Sequence, residues 1–111
     1  MSTATSGRAR EHKVRDHLIR RDWNLIARSA GSKGPADLVM AHLAYGVALI
    51  QVGTGNKTLG PADRERFLWA ANICSALPIL ASVIATPGKP TVIRYWRVDF
   101  GPPSTWQEWT P

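Results

Sequence analysis

The sequence predicts one small α/β domain with its elements in the order αβββαββ. Three observations lead there. A charge-rich segment of helical period opens the chain; three short apolar or alternating runs follow, separated by Gly, Pro and other turn residues; and a segment with a proline helix start precedes two further runs rich in β-branched residues. The 111 residues are 44% apolar, enough to build a single core and too much for a disordered chain. No segment approaches the ~18 uncharged apolar residues of a membrane span, so no membrane partner is expected.

Residues 1–7 are small and polar and read as a flexible lead-in, residues 8–100 as the domain, and residues 101–111 as an irregular tail. The first helix is predicted from Arg8 to about Asp22. Glu11, Val14 and Leu18 fall at i, i+3 and i+7 and share a stripe, with Arg8, Arg10, Lys13, Arg15, Arg20 and Arg21 around it. The apolar face therefore carries a carboxylate in line with it. Leu25 to Arg28 reads as a short strand, and two glycines with a proline make 28–35 a loop. Residues 36–41 alternate, with Asp37, Val39 and Ala41 on one side and Leu38 and Met40 on the other. His42 to Gly46 turns the chain into a third strand, Val47 to Val52, whose nearly continuous apolar run fits a central strand covered on both faces. Gln51 is its one polar member.

Thr54 to Lys57 is a loop. Gly60 as N-cap, Pro61 at the first helical position and Asp63 in the first turn begin a second helix running to about Ala76, with Phe67, Ala70, Ala71 and Cys74 at helical spacing. Pro78 to Ile84 reads as a strand, 86–90 as a turn, and Thr91 to Val98 as the last strand.

Fourteen Lys and Arg against eight Asp and Glu give a net charge of +6 and a pI near 10.3. Clustered cations bind phosphates and release condensed counterions, so a nucleic acid is the expected partner. An anionic membrane fits less well, because the basic N-terminal segment lacks a bulky apolar face to insert. The single cysteine, Cys74, excludes an internal disulfide framework and a multi-cysteine zinc site, and the first fifteen residues lack the apolar stretch of a secretory signal. A reducing cytoplasm is the expected compartment.

Three oxygen-bearing side chains form the candidate centre. If the strands holding Asp37 and Gln51 make an antiparallel hairpin, both project to one face, and Glu11 reaches the same point from the first helix. One or two carboxylates with amide or carbonyl oxygens suit Mg²⁺ or Mn²⁺, and such an ion beside a phosphodiester acidifies an attacking water. Each residue also has a purely structural role open to it. Glu11 can offset the helix dipole or pair with Arg15, Asp37 can serve a strand-edge turn, and Gln51 can make a buried hydrogen bond.

Glu11, the block Arg28-Ser-Ala-Gly-Ser-Lys-Gly-Pro-Ala-Asp37-Leu38, and Leu49-Ile50-Gln51-Val52 together resemble the archaeal-type Holliday junction resolvases and their phage-borne relatives, within the PD-(D/E)XK nuclease superfamily. The likeness covers residues 7 to about 84. It implies a restriction-endonuclease-like core with a mixed central β-sheet flanked by helices, a homodimer, and metal-dependent cleavage of two strands at a four-way DNA junction, in a bacterial or phage-infected host cytoplasm. It also implies that Glu11 and Asp37 are acidic active-site residues, that Gln51 is the second motif position, that the Val52 carbonyl faces the metal, and that Ser32 lies near the scissile phosphate.

One position departs from the motif. The resolvase lysine two residues after the Glu or Gln is here Gly53, and glycine can neither orient a water nor neutralise charge. Gln51 in place of Glu also removes a negative charge from the metal site. Three accounts stay open: Lys57 swings back into the vacant place; Gly53 disables cleavage, naturally or by design, and leaves a binding-only homologue; or another residue such as Arg64 substitutes.

Arg8, Arg10 and Lys13 on the first helix, with Arg28, Ser29, Ser32 and Lys33 in the loop, form the candidate DNA contacts, suited to holding phosphates without reading bases. His12, His17 and His42 show no metal-ligand spacing. Of the five tryptophans, Trp23 and Trp69 are expected in the core. Trp96, Trp106 and Trp109 are expected at a subunit interface, with stacking on unpaired bases as the alternative.

Overall fold

A computed structural model describes residues 3–28 and 35–111. Helix α1 spans Thr3–Ile19 and leads into strand β1, Asn24–Arg28. Strands β2, Leu38–His42, and β3, Gly46–Thr54, form a hairpin. Helix α2, Pro61–Ile73, precedes β4, Leu77–Ile84, and β5, Val92–Arg97. A single 3-10 turn at Pro103–Thr105 then leads to β6, Gln107–Trp109. The six strands form one sheet in sequence order. All neighbours run antiparallel except β3 and β4, which are parallel and therefore need the α2 crossover between them. This is the expected mixed α/β sheet in the order αβββαββ, with β6 added at its edge.

Each helix covers one face. Val14 and Leu18 of α1, both fully buried, pack with Leu38, Met40, Ile50, Val52, Ile79 and Tyr95. On the opposite face Phe67, Leu68 and Ala71 of α2 pack with Leu49, Leu59, Leu80 and Val98. Strand alternation explains the division: along β3, Ile50 and Val52 face α1, while Leu49 and its period-2 partners face α2.

Both helices end in the same way. In α1 the Trp23 N–H donates to the Leu18 carbonyl and the Asp22 N–H to that of Ile19, around Asp22 at φ 70°. In α2 Ala76 and Ser75 donate to Ala71 and Asn72, around Ser75 at φ 52°. These are Schellman closures on residues other than glycine. The second one stops α2 at Ile73, before the Ala76 that periodicity suggests. At the other end, α1 begins at Thr3, ahead of the expected Arg8, because extending a nucleated helix through weak formers requires no new nucleus.

The stretch 101–111, expected to be irregular, carries the 3-10 turn and β6 instead. Trp106 is the reason. Its ring is buried in the α2-side core, and its indole N–H donates to the Gly101 carbonyl at 3.1 Å. Trp109 packs edge-on to Trp23 and to Tyr95, with centroids 5.5 and 5.7 Å away. Trp106, expected at a subunit interface, thus serves the chain's own core, and the half-buried Trp109 packs against the α1-side core. Trp69 reverses in the other direction: expected inside, it is 56% exposed, because α2 turns Phe67, Leu68 and Ala71 inward. Trp23 is buried as expected. Among the described residues no helix is long and apolar enough to cross a membrane.

His17 ties α1 to β5. Its Nδ1 lies 2.7 Å from the Tyr95 hydroxyl, the two rings stack, and Arg21 donates to Nε2 at 3.3 Å. Because Nε2 accepts from Arg21, the neutral ring carries its hydrogen on Nδ1, and a second proton must enter facing that guanidinium. Burial first, then Arg21 and Arg20, hold the imidazole below its ordinary 6.5. The neutral ring is the form that folding favours, so His17's contribution is full above pH 6.5 and is lost as pH falls below it.

Two outcomes follow for stability. Trp106→Ala should cost about 3–5 kcal/mol in urea unfolding, whereas Trp69→Ala should stay within roughly 1 kcal/mol, since only the first empties a core site. Unfolding midpoints should fall between pH 7.5 and 5.5 in the wild-type chain and fall less steeply in His17→Gln.

Candidate active site

Strand β3 runs on where β2 stops. Leu38 faces Ile50 at the last regular pair; the Asp37 N–H then donates to the same Ile50 carbonyl at 2.9 Å, one residue out of step. Pro35 has no N–H with which to resume the ladder. Val52 is thus left beyond the end of β2, and side chains satisfy its backbone. The Asp37 Oδ2 accepts the Val52 N–H at 2.8 Å, and the Lys57 Nζ donates to the Val52 carbonyl at 3.4 Å.

Gln51 lies on the α2 side of β3. Its amide nitrogen donates to the Pro35 carbonyl, which leaves its Oε1 as the group able to accept from or ligate something else. Asp37, Gln51 and Lys57 line one cleft of about 270 Å³ together with Asp63 and Arg66 from the first two turns of α2. The walls are therefore the frayed end of the hairpin on one side and a helix N-terminus, with its partial positive charge, on the other.

Gly53 sits directly under Lys57. A β-carbon at position 53 would collide with the Lys57 Cδ and fall 2.5 Å from its Cβ, so the lysine stem fills the space that any larger residue at 53 would need. A tight turn produces this arrangement: the Lys57 N–H closes onto the Thr54 carbonyl at 3.1 Å and folds the chain back over its own strand.

The structure brings together Asp37, Gln51, Val52 and Lys57. Glu11 does not line their cleft. It projects from α1, which covers the other face, and its Oε1 lies 3.4 Å from the Arg28 Nε. That oxygen is buried and accepts no hydrogen bond among the described residues. Arg28 is thereby paired to a carboxylate. Arg8 and Lys13 are exposed on α1 and Arg10 is half-buried; Lys13 borders a separate hollow with Asp16, Arg20 and Thr91. Ser29, Ser32 and Lys33 lie outside the described residues. Arg64, the other substitute considered for Gly53, donates to the Leu59 carbonyl at 3.4 Å and does not line the cleft.

Asp63 and Arg66 are the wall residues that sequence reasoning passed over. Asp63 reads as a helix-dipole residue, and Arg66 has no role assigned to it from sequence. Their i, i+3 spacing at the start of α2, right after the loop bearing Lys57, is the signal that places both on one side of the helix. Among the described residues no three His, Cys, Asp or Glu side chains gather to hold a metal ion. A cation site at this cleft must therefore combine few carboxylates with amide and backbone oxygens.

The fold has a solved counterpart. Hjc of Archaeoglobus fulgidus, a Holliday junction resolvase from an archaeal hyperthermophile, superposes with a TM-score of 0.59 over 81% of this chain and 75% of that one, at 18% identity. This chain has the Hjc fold. At that identity the likeness establishes architecture, and the chemistry must be argued from the cleft. No protein-family model and no curated protein matches the sequence.

The role of Asp37 in the architecture is separable from any chemistry. Asp37→Ala leaves the Val52 N–H without its acceptor and should cost roughly 1–3 kcal/mol in denaturant unfolding, while Asp37→Asn keeps an acceptor oxygen and should lose clearly less.

Proposed function

We propose that this chain is a metal-dependent endonuclease that resolves four-way DNA junctions by phosphodiester hydrolysis. The observation that carries the reading is the cleft at the end of β2, where a carboxylate, a carboxamide oxygen, a strand carbonyl and a lysine meet on a fold shared with Hjc. Asp37, Gln51 through Oε1, and the Val52 carbonyl are hard oxygen donors. They fit Mg²⁺ or Mn²⁺, ions that complete their shells with water and phosphate when few carboxylates are available. Bound there, such an ion supplies charge neutralisation at the scissile phosphate and acidifies a water. Gln51, uncharged, makes the donor set less anionic than one with two carboxylates, which favours weak cation binding.

The chain's own residues do the positioning. Asp37, braced by the Val52 N–H, keeps one carboxylate oxygen for the cleft. Glu11 lies outside that cleft, on the α1 side and ion-paired with Arg28, and is not a ligand of the same ion. Arg28, Arg8, Arg10 and Lys13 are candidate phosphate contacts, with Ser29, Ser32 and Lys33 of the adjoining loop. Their contacts would recognise backbone shape rather than base sequence. A single such donor cluster among the described residues, with two strands to cut, calls for a homodimer. Gly53 favours a second reading, a binding-only homologue that retains junction affinity without cleavage.

Labelled synthetic four-way junctions separate these readings. The nuclease should give paired nicks that require Mg²⁺ or Mn²⁺, with Asp37→Asn abolishing nicking but not the salt-sensitive shifted band. A shifted band with no nicks under any divalent ion supports the binder. Complete loss of junction binding to excess linear duplex contradicts both.

A further inference from the structure

We infer that Lys57 is the catalytic cation of this cleft and that Gly53 is the residue that admits it, so that the two positions act as one unit. The inference rests on the nuclease reading and specifies its chemistry. A lysine on a surface loop keeps its rotamer freedom unless something holds it. Lys57 is held. Its turn closes on Thr54, its stem lies across the Gly53 backbone, it is half-buried, and its Nζ reaches the Val52 carbonyl beside Asp37 and Gln51. Its β-carbon and its δ-carbon both occupy the volume of a side chain at 53, so a residue other than glycine there forces the turn itself to shift, not merely a flexible tip. The strand position that would ordinarily carry a side chain into the cleft has been emptied, and the loop fills it.

The chemistry asked of Lys57 is electrostatic. In hydrolysis a water oxygen bonds to phosphorus, the bond from phosphorus to the leaving sugar oxygen breaks with its electron pair on that oxygen, and the protons released by water pass to the leaving oxygen and to solvent. Negative charge grows on the non-bridging phosphate oxygens meanwhile. A fixed ammonium next to the oxygen donors stabilises that charge without giving up its own proton, and it adds more to the transition state than to the ground state. Gly53 is then an accommodation, and the missing motif lysine is no sign of a dead site.

The test compares the wild-type chain with Lys57→Met, Gly53→Ala, the Gly53→Ala/Lys57→Met double variant and the swap Gly53→Lys/Lys57→Gly. It reads single-turnover nicking of a four-way junction, junction affinity, Mn²⁺ affinity by electron paramagnetic resonance, and thermal midpoint. Methionine preserves the packed stem and removes the charge. Lys57→Met should therefore lose about 100-fold or more in nicking while its midpoint and junction affinity hold and its Mn²⁺ affinity rises or stays the same. Gly53→Ala, which adds no chemistry, should lose a comparable factor by displacing the lysine. The double variant should be no worse than either single one, since both remove the same interaction. The swap should regain much of the loss. Wild-type nicking by Lys57→Met, with Asp37→Asn inactive, overturns the inference and leaves the nuclease reading standing; so does a gain in nicking by Gly53→Lys alone. Absence of nicking by the wild-type chain itself, in Mg²⁺ and in Mn²⁺, overturns the nuclease reading and the inference with it.

Discussion

A backbone amide and carbonyl at the end of a ladder must find partners, and the part of β3 that outruns β2 presents both. Water would serve them at an open edge. Here Asp37 takes the Val52 N–H and Lys57 takes the Val52 carbonyl, so two groups of opposite charge are drawn to the two ends of one residue. Pro35 enforces the gap by having no hydrogen to donate, and its own carbonyl in turn fixes the Gln51 amide. The polar constellation is thus a consequence of where hydrogen bonding between two strands ends. A substitution that let β2 extend by two residues would remove the site without touching a charged residue.

The two helices divide the labour around that gap. Helix α1 seals one face with an apolar stripe and keeps Glu11 and Arg28 at its margin. Helix α2 crosses the other face as the obligatory link between parallel strands, and its N-terminal turns stand opposite the hairpin end, which is why Asp63 and Arg66 become cleft walls. The C-terminal strap completes the α2-side core through Trp106 and braces the sheet edge by pairing β6 with β5. Strand and helix ends therefore frame the cleft, and the loop from Thr54 to Lys57 is short and closed by its own hydrogen bond.

The features legible in the sequence were those set by local period or by a single special residue. Alternation in 36–41 and the apolar run at 47–52 locate β2 and β3, while the antiparallel hairpin that brings Asp37 near Gln51 is from sequence only a condition, which the structure meets. Gly60 and Pro61 located the start of α2. What escaped depended on chain geometry at longer range. Nothing periodic marks Trp106, which is buried because the tail folds back under α2, and the exposure of Trp69 is decided by which arc of α2 the sheet covers. The Lys57 return was visible as one of three options; the turn closure and the crowding over Gly53 are backbone facts that spacing cannot supply. Glu11 was expected at the same point as Asp37 and Gln51, but its stripe is governed by Val14 and Leu18, which face the opposite side of the sheet from Gln51.

The proposed cation site at the end of β3 consists of one carboxylate, one carboxamide and one strand carbonyl. Anomalous diffraction from crystals soaked in Mn²⁺ tests it most directly. A peak is expected at oxygen-ligand distance, about 2.0–2.3 Å, from Asp37, Gln51 Oε1 and the Val52 carbonyl, with Lys57 alongside. A peak elsewhere on the surface, or an empty cleft at saturating Mn²⁺, would contradict it.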